Sequence, residues 1–170
     1  MTIRSIRRLG DPVLRTPSET VTSFDAELRD LVQDLLDTLT GEAGRAGVAA
    51  PQIGVSARVF AYGANKVVGY VVNPRIVHLA GEQDGEEGCL SIPGLAFPTP
   101  RAAEATVEGV NERGEPIRVT GTGLLARAFQ HEVDHLDGRL YIDTLRGDAR
   151  RQALRAVRAA FPPRFSSPAR

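Results

Sequence analysis

Sulfur-bearing and indole side chains are almost missing from this chain of 170 residues, which has one cysteine, one methionine and no tryptophan. A single thiol excludes an intrachain disulfide. Without an export signal it fits a reducing, cytoplasmic compartment. No run approaches the roughly 20 apolar residues of a membrane-spanning helix, so no membrane partner is expected. The opening MTIRSIRRLGDPVL is basic but has no continuous apolar stretch behind it, as a secretory signal would. Asp11-Pro12 also breaks the Arg-rich, acid-free pattern of an organelle transit peptide. Net charge is absent too: 21 basic side chains stand against 21 acidic ones, which removes any global argument for a nucleic-acid or acidic partner. One local imbalance remains, between Arg146 and Arg170, where seven arginines meet a single acid, Asp148.

What is present is ordinary globular material, 42% hydrophobic and 25% charged, in a length that suits one domain. Leu28, Leu31, Val32, Leu35, Leu36 and Leu39 recur at helical spacing and predict an amphipathic helix over Asp25–Thr40, with Ser23 or Asp25 as N-cap. Strand-like runs cover Arg58–Tyr62, Val67–Asn73 and Arg75–Leu79, with Gly63-Ala64-Asn65 as a hairpin turn between the first two. Gly81–Gly88 reads as an acidic loop, and Ala103–Val110 and Pro116–Thr120 as two more strands. A second helix is predicted over Gly123–Leu136, stopped by Gly138, and a third over Asp148–Ala160. Residues 161–170, FPPRFSSPAR, read as a disordered tail beyond a domain of residues 1–160. Strands clustered between helices, without regular βαβ alternation, predict an α+β fold: mixed or antiparallel sheets around a central helix, with one helix towards each terminus.

That central helix carries His131-Glu132-Val133-Asp134-His135, an H-E-x-x-H. Residues four apart share a helical face, so both imidazoles can reach one ion, and Glu132 sits one position round, where it can meet an activated water. Two of the three histidines of the chain are in this motif. A catalytic ion usually takes three protein ligands and keeps one open position. The standard protease completions fail: Tyr141 stands where a third histidine would follow Gly138, and no Glu occurs after Glu132. His78, Cys89 and upstream carboxylates remain. His78 lies in a strand pattern and reads as a surface or packed residue. Cys89 taken alone would read as a small buried apolar residue; beside two imidazoles that lack a third partner, it is a soft donor suited to zinc or ferrous iron.

Glu87-Gly88-Cys89-Leu90-Ser91 and Gln130-His131-Glu132-Val133-Asp134-His135-Leu136-Asp137-Gly138 resemble the E-G-C-L-S and Q-H-E-x-D-H-L-x-G signatures of the peptide deformylases. Gly47-Val48-Ala49-Ala50-Pro51-Gln52 is similar to the later part of the family's G-x-G-x-A-A-x-Q, and the likeness spans residues 3–160. It implies a metal-dependent hydrolase that removes the formyl group from the N-terminal formyl-methionine of new polypeptides and releases formate. It implies Cys89, His131 and His135 as ligands of one divalent ion, ferrous iron in the cell and zinc or nickel as isolated. Glu132 would be the acid/base, while the Gln52 side chain and the Leu90 backbone N–H would receive the oxyanion. Leu124 and Ala128, on the same helical stripe as His131 and two turns and one turn before it, would wall a pocket for the methionine side chain, and Gly47 would offer backbone to the peptide as to an added strand. Arg45 stands where the family has its first glycine; this departure is expected to change the loop path and substrate access, with Gly44 placed to take over the turn. The basic C-terminal helix reads either as a solvated face or as a ribosome contact. Two rivals remain. An ordinary metallopeptidase lacks its downstream ligand here, and a non-catalytic metal-binding or ribosome-associated module has no need of Glu132 or Gln52.

Overall fold

The computed structural model describes residues 2–64 and 66–162. The expected tail thus lies outside the described residues from 163 onward, as does position 65 in the expected hairpin turn; Phe161, by contrast, still packs partly buried beside the last helix. Among the described residues, three α-helices, α1 (Ala26–Thr40), α2 (Leu124–Leu136) and α3 (Gly147–Ala160), accompany seven strands. These are β1 (Gly47–Ala49), β2 (Val59–Ala64), β3 (Val67–Ala80), β4 (Glu86–Cys89), β5 (Ile92–Pro98), β6 (Glu104–Val110) and β7 (Pro116–Thr122). Five of them form one sheet in the order β1-β2-β3-β6-β7, and β4 and β5 form a second. Every ladder between these strands is antiparallel, so the parallel pairing that a mixed sheet would need is limited to an isolated Glu19–Ala57 bridge.

Strand alternation builds the core. Val48, Val59, Ala61 and Val72 face α1, where they meet Leu28, Val32, Leu35 and Leu39. Their neighbours Ala49, Phe60, Tyr62 and Val71 point the other way, onto Phe129, Val133 and Leu136 of α2. Period two in the strands and 3.6 in the helices therefore bury both faces of β1 and β2 at once. Each large side chain so buried is worth about 1.5–3 kcal/mol. Tyr62 meets Phe129 edge-on at 5.0 Å, which fixes the back of α2 against the sheet. Asp25, rather than Ser23, caps α1 by accepting the Leu28 N–H at 3.1 Å.

Two local readings change. The two runs expected on either side of Pro74 form one strand, β3, with a bulge between Val72 and Arg75. Pro74 has no N–H for the ladder, and Asn73 takes a left-handed φ of 50°. Its amide then stands in for a strand partner, accepting from Val21 N–H at 2.8 Å and donating to the Val21 carbonyl at 2.9 Å. The loop expected over Gly81–Gly88 becomes strand from Glu86, and Ile92–Pro98 was not anticipated as strand at all. Its two prolines and one glycine hide the pattern; they are tolerated because a two-stranded sheet is all edge.

Candidate metal centre

The three proposed donors come from two elements. Cys89 ends β4 at an irregularity in the β4–β5 ladder, and His131 and His135 lie one turn apart on α2. Cys89 Sγ is 3.3 Å from His135 Nε2, which is 3.1 Å from His131 Nε2. All three ligand atoms lie within 4.8 Å of one another, and no other such group is found among the described residues. Donors on one tetrahedral ion, each ~2.0–2.3 Å from it, stand roughly 3.3–3.6 Å apart. The Cys89–His135 and His135–His131 spacings are close to that, and two ring nitrogens aimed at each other need a cation or a shared proton between them. The residues fit a metal. His78, the alternative ligand, is half-exposed on β3 and lies 3.3 Å from Glu104, away from this group.

Around the donors is a set of contacts that spacing did not reveal. Glu87, buried on β4, accepts from His131 Nδ1 at 2.6 Å, which turns Nε2 towards the other ligands. The same carboxylate takes a two-pronged contact from Arg101, at 2.9 and 2.7 Å, and a third from Arg127 at 2.8 Å. Arg101 also reaches Asp134 on α2 at 2.8 Å, tying the small sheet to the helix. Burial alone would raise the Glu87 carboxyl; Arg101 and His131 instead bring it down to about 2. Burial likewise opposes ionisation of Cys89, yet His135 and His131 hold its thiol well below the usual range, as a thiolate donor requires. Arg101 and Arg127 gave no signal in the sequence. Glu87 stood in the quoted motif, but nothing local revealed what it orients.

Glu132, next to His131 on α2, packs against Gly47 of β1 beside the donor group. It is 3% exposed, and burial pushes its carboxyl up to about 7 against the lowering pull of His131 and His135. Its Oε2 has no partner among the described residues. Gln52 is anchored in one orientation: its Oε1 accepts from Ala49 N–H at 2.9 Å. Its Nε2 is thereby turned to Cys89 Sγ at 3.7 Å and Ser91 Oγ at 3.3 Å. Gln52, Leu90, Glu132, Cys89 and His131 all line a cavity of about 500 Å³, and Gly47, Leu124 and Ala128 line it too. His135 sits behind them, 1% exposed. Leu124 is half-exposed at the rim and Ala128 is buried. Gly44, at φ 87°, takes the left-handed turn, while Arg45 does not have positive φ. Arg45 also lines the cavity.

A family model described as polypeptide deformylase matches residues 3–151. The chain belongs to the polypeptide deformylase family. A peptide deformylase of Acidothermus cellulolyticus is 55% identical over 160 residues, covering 94% of this chain and 88% of that one. Another, from a Parafrankia species, is 51% identical over 162 residues with the same two shares. The crystal structure of the Thermus thermophilus peptide deformylase superposes with a TM-score of 0.86 at 42% identity, over 92% of this chain and 94% of that one. Deformylases are metal-dependent hydrolases that remove the formyl group from N-terminal formyl-methionine, and this chain is an enzyme of that kind. Its Cys89–His131–His135 group can hold the metal that the family requires. No helix among the described residues is long and apolar enough to cross a membrane.

Proposed function

We propose that Cys89, His131 and His135 hold one divalent ion, ferrous iron in the cell with zinc or nickel as isolated substitutes, and that Glu132 moves the protons of deformylation. The observation that carries this reading is the convergence of one sulfur and two Nε2 atoms from separate elements on a common point, beside a buried carboxylate. An ion there would supply Lewis acidity, acidifying water and polarising the formyl carbonyl. Hydrolysis adds hydroxyl to the formyl carbon and hydrogen to the departing amine nitrogen. Glu132, with a carboxyl raised to about 7, can accept the first proton and return it to nitrogen as the C–N bond breaks and formate leaves. The oxyanion of the tetrahedral adduct is received by Gln52 Nε2 and the Leu90 backbone N–H. The Ala49 contact supports this role, because it prevents the Gln52 amide from presenting its oxygen instead.

Leu124 and Ala128 form the methionine pocket, and an unbranched thioether suits that partly apolar wall. β1 is an edge strand of its sheet, so Gly47 can pair with the peptide of a nascent chain. In this reading residues 1–160 are one catalytic domain, α2 is its central helix, and the enzyme works in the cytoplasm. α3 docks on the ribosome through its basic face: Arg151, Arg155 and Arg158 are exposed there, while Ala153 and Val157 are buried on the opposite side. Arg155→Glu/Arg158→Glu should weaken ribosome co-sedimentation and its salt dependence; equal pelleting at every salt concentration would end the docking idea. The central experiment is formate release from formyl-Met-Ala-Ser by anaerobically prepared enzyme, with metal content measured and acetyl-Met-Ala-Ser as control. Loss of activity in Cys89→Ala together with loss of bound metal is the expected result, and a Cys89→Ala enzyme with full metal and full rate would overturn the ligand assignment.

A further inference from the structure

Tyr141 stands where some H-E-x-x-H enzymes set a third histidine, and the fold brings its ring to the metal group in another way. The ring is stacked on His131, with centroids 5.9 Å apart and planes 26° from parallel. Phe97 of β5 stacks on Tyr141 in turn, at 6.2 Å and 27°. Tyr141 is 1% exposed and packs among Ile92, Leu140 and Leu145, the cluster against which Cys89 also rests. The short turn that carries it, Tyr141–Thr144, is closed on itself. Asp143 accepts from the Leu140 N–H at 2.8 Å, and Thr144 Oγ1 donates to the Tyr141 carbonyl at 2.7 Å. The Tyr141 hydroxyl is buried and finds no partner among the described residues, so the ring face is what this side chain offers the site.

Glu87 and Tyr141 constrain His131 in different ways. The hydrogen bond from Nδ1 to Glu87 lies at the ring edge and fixes where that edge points. A flat neighbour on the ring face fixes the tilt of the plane, which an edge contact leaves free. We propose that Tyr141 is a positioning residue of the metal centre, whose ring face sets the tilt of the His131 imidazole so that Nε2 stays turned towards His135 and Cys89. This rests on the reading of Cys89, His131 and His135 as the ligands. An aromatic ring is needed at position 141 for its flatness; the hydroxyl is not.

The test reads zinc affinity by competition with a chromogenic chelator on the full-length protein. Wild type should bind one equivalent and Cys89→Ala far less tightly. Equal binding by these two would overturn the ligand assignment itself, before any Tyr141 variant is compared. Tyr141→Leu should weaken zinc binding roughly tenfold, while Tyr141→Phe, which keeps the ring, should stay within about twofold of wild type. Phe97→Leu disturbs the same cluster but leaves the Tyr141–His131 contact in place. It should lower the melting temperature and keep zinc affinity within about twofold, which separates ligand orientation from a loosened core. Cobalt-saturated protein gives a readout independent of affinity: the visible spectrum should change in Tyr141→Leu and match wild type in Tyr141→Phe. Tyr141→Met serves if Tyr141→Leu does not fold. Unchanged zinc affinity or an unchanged cobalt spectrum in Tyr141→Leu, or an equal loss in Phe97→Leu or Tyr141→Phe, would overturn the proposal.

Discussion

Gly47 lies directly against the side chain of Glu132: a Cβ at position 47 would fall 2.7 Å from Glu132 Cδ and closer still to Oε1. Its φ is not positive, so backbone freedom is not what glycine supplies here. It supplies room. The strand passes so near the carboxylate that even a methyl group must displace it.

Gly47→Ala should therefore act as a catalytic lesion. Moving an acid/base by an ångström can slow a reaction about 100-fold. The expected outcome is a kcat lower by about that factor with metal stoichiometry unchanged, measured by formate release and elemental analysis. A rate within twofold of wild type would mean that the packing is tolerant and Glu132 is not held by this contact.

Removing the carboxylate separates metal binding from turnover more directly. Glu132 is not one of the three converging donors, so Glu132→Ala should bind metal as wild type does while losing about 100–10,000-fold in kcat. An apo preparation of Glu132→Ala would instead make Glu132 a ligand. Anaerobic chelation of wild type should abolish formate release, lower the melting temperature, and be reversed by one equivalent of ferrous ion or zinc.

Glu87 and Arg101 should act through the metal site and the fold respectively. Losing the acceptor for His131 Nδ1 in Glu87→Ala should weaken metal affinity about 10–100-fold, read by competition with a chromogenic chelator. Arg101→Met leaves Glu87 with less than its full set of cations in a buried place. Breaking such a pair costs about 3–5 kcal/mol, so the thermal transition should fall even where metal is saturating. Equal melting curves for Arg101→Met and wild type would show that Arg127 and His131 suffice.

Asp37 gives a pH dependence away from the metal. The Thr2 backbone N–H, at 2.7 Å, and Gln33 Nε2, at 2.8 Å, hold its carboxyl below the usual carboxylate range. A depressed folded-state value stabilises the protein in full above the unfolded-chain value, and the contribution is lost as pH falls through the folded one. The melting gap between wild type and Asp37→Asn should be widest at neutral pH and close in acid. A gap that widened in acid would reverse the sign of this argument.

Helical order was legible in the chain because it is local. The leucine spacing of α1 and the four-residue step between His131 and His135 follow from 3.6 residues per turn, whatever surrounds them, and Cys89 stood out as the single soft donor. The resemblance of Gly47–Gln52, Glu87–Ser91 and Gln130–Gly138 to the deformylase signatures supplied the rest of the candidate site, including Gln52 and Leu90. Less local features were hidden. Pro93 and Pro98 masked β5, and Pro74 divided on paper a strand that the Asn73–Val21 clamp makes continuous. Only the tertiary structure brings Cys89 to His135 across 46 positions, turns Glu87 onto the back of His131 and Arg101 onto Glu87, and folds Arg45 against Thr38. Periodicity is a property of neighbouring residues, whereas a hydrogen bond between distant side chains depends on how layers stack, and that is decided by packing.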